Sequence, residues 1–307
     1  MVFYQYKYFY KTTKFKMGMF NMSYKKVRNF LLVFMCILFF IFHNNIALAS
    51  TSPDKALKDL NKKLADIVNY ESDKTVYISD NFFGDNNTKR FSVKSFIFYD
   101  TNTIYAESKE RILNLSQPET NYYCFKKNNK NYVFSKNIKK AWSQIYPSKD
   151  PFDKYQANFD SLLFLKKALN DYSSSSYVSD NGPTKKIKIK TNPNIIPNWS
   201  GFKYFLSLDK MDISLCSYIK NCFYDIPIII TIINNNLYSY EIDLSAYYKM
   251  FLQNKMLEAQ KPFSKSGQKT YFSGINSIKG TYTLKTYFYN INNAKKAPVK
   301  TGDFKVR

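Results

Sequence analysis

The sequence predicts an α+β fold: a large curled antiparallel sheet, or unclosed barrel, with amphipathic helices packed on its concave face. The 27 Tyr and 27 Phe among 307 residues favour strands, because aromatic side chains suit a pleated, half-buried surface. Most strand-like segments follow one another without a helix-length crossover, as antiparallel pairing allows. Two other segments carry apolar stripes at helical spacing, and each stripe needs an apolar partner such as a sheet face.

The N-terminal segment has the pattern of a secretory signal peptide. Residues 30–42 form an apolar run of 13 residues, shorter than the roughly 20 that a membrane-spanning helix needs. Basic residues at 25–28 precede the run, and the small-x-small sequence ending at Ala49 follows it. These features predict a signal peptide over residues 22–49, cleavage after Ala49 and a secreted or cell-envelope protein. Retention of the segment as an uncleaved anchor is the alternative.

The chain is predicted to contain one folded domain. Signal peptides carry their basic residues close to the start of the chain, which favours Met22 as the initiator. Residues 1–21 are therefore expected to be a mis-assigned upstream start. No linker or fixed-period repeat divides the remainder. We expect a single β-rich domain over residues 50–300 and a basic tail over residues 301–307.

Two helices are predicted from apolar residues that recur at helical spacing. The first covers residues 54–70, with Ser52 as its N-cap and Pro53 at its first position. The second covers residues 153–172, and the serines at 173–176 are expected to terminate it. The stripes consist of Leu57, Leu60, Leu64 and Ile67 in the first helix, and of Tyr155, Phe159, Leu162, Leu165, Leu169 and Tyr172 in the second.

Strands are predicted before and after the second helix. Residues 122–125 and 132–135 flank the sequence KKNNKN, in which Asn tolerates positive φ, and this favours a hairpin. Residues 226–233 are apolar on both faces, which predicts a strand covered on both sides. The other predicted strands are 75–79, 91–99, 103–106, 138–145, 185–190, 203–208, 237–244, 268–273 and 279–290.

The residue inventory points away from catalysis. His43 is the only histidine, and it lies inside the predicted signal peptide. The exported chain would thus lack the imidazole of a Ser-His-Asp or Cys-His site. Glu241 and Asp243 are the nearest pair of carboxylates on one strand face, and a solvated face explains them better than a glycosidase pair. No metal or nucleotide signature occurs, so neither an enzyme nor a cofactor is predicted.

Three cysteines remain after the predicted cleavage. Cys216 and Cys222 are close enough in sequence to close a short disulfide loop in an exported protein. Cys124 lies in an apolar aromatic run and is expected to be buried. A disulfide between Cys216 and Cys222 is therefore one prediction, and two buried thiols are the alternative.

The chain is strongly basic, with a formal net charge of +23. Seven of the 46 basic residues and none of the 23 acidic ones lie in residues 1–49, which leaves 39 against 23, or +16. Such an excess attracts anionic membranes or cell-wall polymers. Nucleic acid is not an expected partner, because export and the lack of a binding motif argue against it. The densest candidates for an anionic surface are Lys126, Lys127 and Lys130 in one turn, and Lys185, Lys186, Lys188 and Lys190 on one strand.

The element order resembles that of a known superfamily. After the N-terminal helix come several strands, a hairpin ending in KNYVFSKNIKKAWSQI, a helix in FDSLLFLKKALND and a closing strand in IKGTYTLKTYFYNIN. This order is similar to that of the lipoprotein-carrier superfamily, which includes LolA, LppX-like lipoproteins and Gram-positive relatives. The resemblance, over roughly residues 54–300, implies an unclosed barrel lidded by helices that binds acyl chains. It assigns no individual binding residue, and the lipidated Cys of the lipoprotein members is missing.

Two functions follow as hypotheses. The first is a non-enzymatic carrier or sensor of a lipid-like apolar ligand in the half-barrel. The second is a basic surface-interaction protein that binds anionic polymers or headgroups without an internal ligand. The same side chains that would contact an acyl chain could instead fill an ordinary core. These ligand-contact candidates are Trp142, Phe159, Leu162, Leu165 and Leu169.

Overall fold

The fold is built on one antiparallel sheet. A computed structural model describes residues 51–82, 86–113, 115–137, 140–145, 151–191, 201–207, 213–221, 226–264 and 272–295, together with Val299 and Phe304. All of them except Thr51 belong to a compact unit that spans Ser52–Arg307. The predicted upstream start, signal peptide and cleavage site lie outside the described residues.

Twelve strands are described. In chain order they are β1 Asn69–Asp80, β2 Asn87–Phe98, β3 Thr103–Ile112, β4 Leu115–Ser116, β5 Thr120–Lys127, β6 Lys130–Asn137, β7 Ser143–Ile145, β8 Tyr172–Asn181, β9 Thr184–Thr191, β10 Ile226–Ile233, β11 Asn236–Asp243 and β12 Gly280–Tyr289.

Six α-helices and a 3₁₀ helix accompany the strands in the described part of the chain. They are α1 Pro53–Ala65, α2 Pro151–Phe159, α3 Ser161–Asn170, α4 Phe202–Phe205, α5 Ile213–Asn221, α6 Ser245–Ser264 and the 3₁₀ helix Phe272–Ser277.

The sheet consists of two meanders joined by a pairing of its first and last strands. Its order is β7-β6-β5-β3-β2-β1-β12-β11-β10-β9-β8, with β4 paired to β3. Every pairing among the described strands is antiparallel, including the β1–β12 pairing that joins the two halves. Among the described strands, β7 and β8 are the two edges and the sheet is not closed into a barrel. The predicted class, a large open antiparallel sheet with helices, is confirmed.

The helices pack on one face of this sheet, called here the helix face. Side chains alternate along each strand, so that every second residue points to this face. In β10 the residues at 226, 228, 230 and 232 are buried, whereas those between them are only half-buried. The prediction that this strand is covered on both sides is therefore wrong. The buried residues join those of the helices in one main core.

Two local predictions are confirmed where the sequence signal is short-range. The hydroxyl of Ser52 accepts a hydrogen bond from the Lys55 amide at 3.2 Å, and Pro53 opens α1. The β5–β6 turn places Asn128 and Asn129 at φ angles of 50° and 59°. Helix α1 ends at Ala65, earlier than predicted, because Asn69 already pairs with Phe98 of β2.

Several predicted elements are wrong. The helix predicted over 153–172 is interrupted at Asp160, which separates α2 from α3. The serines at 173–176 belong to β8, because ladder pairing with β9 satisfies their backbone groups. The segment predicted as a strand at 203–208 overlaps the short helix α4. Of the strand predicted over 268–273, residues 272–273 lie in the 3₁₀ helix, and residues 268–271 lie outside the described residues. Helices α5 and α6 were not predicted.

The left-handed backbone of the β5–β6 turn leads to a stability prediction. Replacing Asn129 by Val should lower the free energy of unfolding by about 1–2 kcal/mol, because a β-branched side chain is strained at positive φ. The matched control is Asn129→Gly, which relieves the same constraint and should leave stability close to that of the wild type. Urea unfolding followed by circular dichroism measures both. Equal stabilities for the two variants would contradict the prediction.

Candidate functional site

The region where the helix layer is interrupted is the candidate site. Helices α2 and α3 are separated by Asp160, whose backbone has the non-helical angles φ −85° and ψ 84°. Its carboxylate accepts a hydrogen bond from the Leu163 amide at 3.0 Å and so caps α3. A capping carboxylate normally faces water, but Asp160 is only 1% exposed. Its burial places a charged group between the helix layer and the sheet.

Two tyrosines of the sheet region hold this carboxylate. The Tyr70 hydroxyl donates to Asp160 Oδ1 at 2.7 Å, and the Tyr99 hydroxyl lies at 3.0 Å from Oδ1 and 3.1 Å from Oδ2. Tyr70 also accepts a hydrogen bond from the Leu162 amide at 3.1 Å. Farther along the sheet, the Tyr240 hydroxyl donates to the Ser161 carbonyl at 2.9 Å. The start of α3 is thus hydrogen-bonded to three aromatic hydroxyls.

A buried lysine holds the other side of the interruption. Lys74 lies four residues after Tyr70 on β1, so both point to the helix face, and it is 2% exposed. Its ammonium donates to the carbonyl and the side-chain oxygen of Asn158 near the end of α2, and to the Phe205 carbonyl, at 3.0 Å, at the end of α4. A cation is favoured at the carbonyl end of a helix. We call Tyr70, Lys74, Tyr99 and Asp160 the polar clamp.

Burial dominates the electrostatics of the clamp. Desolvation raises the pKa of Asp160, although the hydrogen bonds from Tyr70, Leu163 and Tyr99 act in the opposite direction. Desolvation likewise raises the pKa of Tyr99, and the negative charge of Asp160 adds to that effect. Lys166 on α3 lies 5.1 Å above the Tyr99 ring, and its pKa is lowered by burial. The clamp is a polar network inside an otherwise apolar layer.

The structure brings together four of the five predicted ligand contacts. Phe159, Leu162, Leu165 and Leu169 lie within the main core and are 1%, 0%, 0% and 6% exposed. Trp142 does not join them, because it packs against Phe304 in a separate aromatic cluster on the opposite face of the sheet. Spacing along the sequence could not indicate this separation, since Trp142 precedes the three-residue strand β7 rather than lying within a strand.

A cleft opens next to the buried helix residues. It has a volume of about 270 Å³. Tyr122 forms part of its wall, and the Tyr122 ring lies 5.1 Å from Phe159 and 5.7 Å from Tyr155. Apart from Tyr122 and Pro118 the wall is polar, and Tyr122 is the lining residue that packs against the main core. The lining residues are Ser108, Glu110, Gln117, Pro118, Thr120, Tyr122 and Asn137.

Neither the clamp nor the cleft was predicted from the sequence. Asp160 carried a usable signal, because an Asp directly before an apolar helical run is a typical N-cap. Lys74 carried none, since a lysine in an alternating strand is expected to face solvent. The cleft is formed by residues of β3, β5, β6 and the segment between β4 and β5, and only strand pairing brings them together.

The predicted lysine patches differ from each other. Lys126, Lys127 and Lys130 are exposed at the β5–β6 turn, as a hairpin requires. On β9, Lys186 and Lys190 are exposed and Lys188 is half-buried, and all three point away from the helix face. Lys185 does not belong to their row, because it has the same orientation as the buried Ile187 and Ile189.

The cysteines behave in part as expected. Cys124 is fully buried, as predicted, and burial raises the pKa of its thiol. Cys216 is buried on α5. Cys222 lies outside the described residues, so the disulfide between Cys216 and Cys222 stays a prediction.

No group of three or more His, Cys, Asp or Glu side chains in the described part of the chain could hold a metal ion. Within the same residues, no helix combines the length and apolarity needed to span a membrane. The carboxylates predicted as a solvated pair have structural contacts: Glu241 forms an ion pair with Lys285, and Asp243 accepts a hydrogen bond from the Ser245 amide at 2.9 Å.

The raised pKa of Asp160 leads to a pH-dependent stability prediction. A carboxyl group whose pKa is higher in the folded state than in the unfolded state favours folding at low pH, and that contribution is lost as the pH rises through the folded-state pKa. Asp160→Asn removes the charge and keeps a capping side chain. Its free energy of unfolding, relative to that of the wild type, should therefore increase from about pH 4 upward and then level off.

Urea unfolding at a series of pH values measures this difference. Asp59→Asn, an exposed substitution on α1, controls for the loss of one negative charge. A difference between Asp160→Asn and wild type that does not change with pH, or that decreases as the pH rises, would contradict the prediction.

Comparison with known proteins gives similarity at the level of structures alone. No family model and no curated protein sequence matches the chain. Similar solved structures include LprF from Mycobacterium bovis, at 12% identity and TM-score 0.40, covering 81% of this chain and 97% of that one. A DUF1329 family protein from Desulfovibrio piger has 11% identity and TM-score 0.26, with 83% and 98% covered. An outer membrane lipoprotein-sorting protein domain from Vibrio parahaemolyticus has 8% identity and TM-score 0.23, with 82% and 96% covered. Since these TM-scores are below 0.5, the assignment of the fold rests on the strand pairing of the chain itself.

Proposed function

We propose that this protein is an exported, non-enzymatic binding protein that takes up a lipid-like apolar ligand between its helix layer and the helix face of its open sheet. The observation that carries the proposal is the aromatic wall formed by Tyr122, Tyr155 and Phe159. Tyr122 lines the cleft, and its ring contacts Tyr155 and Phe159, of which Phe159 belongs to the main core. Export is supported by the pattern of residues 22–49 in the sequence.

The arrangement supports a site with a polar entrance and an apolar interior. Ligand sites for apolar molecules combine an apolar lining with a few well-placed polar groups. Here Ser108, Glu110 and Asn137 would form the rim, and the aromatic wall would receive the apolar part of the ligand. Desolvation raises the pKa of Tyr155 to about 12, consistent with a largely apolar surrounding on the inner side.

Uptake in this proposal requires the helix layer to move. Phe159, Leu162 and Leu165 are buried almost completely against the sheet, so an acyl chain can reach them only by displacing them. Two short helices separated at Asp160 can shift separately, whereas one continuous helix would have to move as a whole. The displaced side chains would thus exchange contacts with other core side chains for contacts with the methylene groups of the ligand. Burial of each methylene group contributes about 0.8 kcal/mol.

Binding of a fluorescent fatty acid to the delipidated protein tests the proposal. We expect saturable binding, and we expect Phe159→Leu to weaken it by roughly 3- to 10-fold because the aromatic wall loses one ring. Phe134→Leu is the matched control. Phe134 is as deeply buried as Phe159, at 2% exposure against 1%, but it lies in the aromatic cluster on the opposite face of the sheet. The control should leave the dissociation constant unchanged. No saturable binding, or equal effects of the two variants, would refute the proposal.

A second candidate function is binding of a linear polyanion by the row Lys186, Lys188 and Lys190. Residues two apart on a strand repeat at about 7 Å on one face, so the three lysines form a row on that face. Their neighbours in register are Ser179, Ser176 and Ser174 on β8, and Thr231, Ile229 and Pro227 on β10. None of these six neighbours is acidic, and the serine hydroxyls add hydrogen-bond donors.

Binding to long-chain inorganic polyphosphate, measured against salt concentration, tests this candidate. Replacing Lys186, Lys188 and Lys190 together by Gln should reduce affinity at least tenfold at low salt and lower the salt dependence by roughly two to three counterions. Replacing Lys126, Lys127 and Lys130 by Gln removes the same charge at the β5–β6 turn and is the control. Equal losses in both triple variants would indicate general attraction by net charge and contradict a specific row. Binding to anionic vesicles but not to polyphosphate would also contradict it.

A further inference from the structure

A second apolar cluster lies on the face of the sheet opposite to the helices. Phe96, Tyr105, Tyr123, Phe125 and Phe134 are between 2% and 7% exposed. They alternate along their strands with main-core residues such as Ile97 and Cys124, so they point the other way. Elsewhere on this outer face, side chains such as Arg90 and Lys94 are exposed. The aromatic cluster is therefore a local exception that has to be covered by something.

Four of these residues form a ladder across the strands. Phe96 is opposite Tyr105, Tyr105 is opposite Tyr123, and Tyr123 is opposite Phe134, each in direct register. Ring centroids are 5.6 Å apart for Phe96 and Tyr105 within the ladder. The ring of Phe125, beside the ladder, has its centroid 6.0 Å from that of Phe134. Because β2, β3, β5 and β6 are paired along their length, backbone hydrogen bonds hold these rings in place. The ladder is a preformed surface.

Part of the cover comes from residues that follow β12. Phe304 is 8% exposed, and its ring stacks on Tyr123 with the centroids 4.8 Å apart. Its ring centroid also lies 4.4 Å from that of Phe134 and 5.4 Å from that of Trp142, to which it is nearly perpendicular. Val299 is half-buried against the same cluster. The segment predicted as a basic tail thus includes a residue that is anchored on the sheet.

We propose that this outer aromatic cluster is a docking socket for a peptide segment with an aromatic anchor, and that the chain's own residues 299–307, through Phe304, are its occupant. The socket is built by strands that pair without the C-terminal segment, whereas the aromatic ring is delivered by residues that follow the last strand. Phe304 is therefore a removable ligand of the surface rather than part of the core that holds the sheet together. This inference is independent of the proposed function, because it concerns the other face.

The test uses the full chain carrying Phe304→Ala and a labelled peptide of the sequence VKTGDFKVR, which reproduces residues 299–307. We expect the peptide to bind the variant saturably and to bind the wild type at least tenfold more weakly, because the wild type's own Phe304 occupies the socket. A peptide with Ala in place of Phe304 should bind the variant at least tenfold more weakly than the native peptide. Equal binding of the peptide to wild type and variant, or of both peptides to the variant, would overturn the proposal.

A second measurement separates docking from ordinary core packing. In a Trp199→Phe background, the emission of Trp142 should shift to longer wavelength in Phe304→Ala and shift back when the native peptide is added. The urea midpoint of Phe304→Ala should stay close to that of the wild type, because undocking is local. Phe134→Ala, which removes a ring of the socket itself, should lower the midpoint clearly. Global destabilisation by Phe304→Ala comparable to that of Phe134→Ala would overturn the proposal.

Discussion

The buried carboxylate of Asp160 is the constraint on which the arrangement of the helix layer depends. A carboxylate removed from water needs hydrogen-bond donors, and Asp160 obtains them from Tyr70, Tyr99 and the Leu163 amide. These donors are available only if α3 begins directly above the region of β1 and β2. Helix α2 ends at Phe159, directly before Asp160, and Lys74 binds the carbonyl of its penultimate residue, Asn158. The interruption between the two helices is thus coupled to the sheet rather than to helix propensity.

The clamp also gives the helix layer a defined position on an otherwise uniform apolar surface. Apolar contacts are non-directional, and several placements of the leucines of α3 on the isoleucines of the sheet would bury similar areas. The hydrogen bonds from Tyr70 and Lys74 are directional, so another placement of the helices would leave these two buried polar groups without their present partners. For a protein proposed to admit a ligand beneath its helices, such a network defines the closed arrangement to which the layer returns.

Sequence and structure agree best where the signal is local. The cap at Ser52, the Asn turn at 128–129 and the alternation of Lys and Ile in β9 depend on neighbouring residues, and all are observed. The two disagree where residues far apart in the sequence determine the secondary structure. The serine-rich segment of β8 has few apolar residues, yet it forms a strand because it pairs with β9. In α6 the buried apolar residues among those described are Tyr247, Tyr248, Phe251 and Leu252, all in the first turns, whereas Leu257 farther along is exposed, so the apolar stripe is short.

The sequence by itself determined the open antiparallel sheet, because alternating side chains and short turns specify strands and their order. It also determined that Phe159, Leu162, Leu165 and Leu169 share one helix-layer surface, despite the interruption at Asp160. Only the tertiary structure decided which face each aromatic residue meets. Trp142 and Phe304 are 162 positions apart and meet on the outer face, and Lys74 is buried because three acceptors from two helices surround it. Such partners are supplied by the fold, and no pattern of neighbouring residues encodes them.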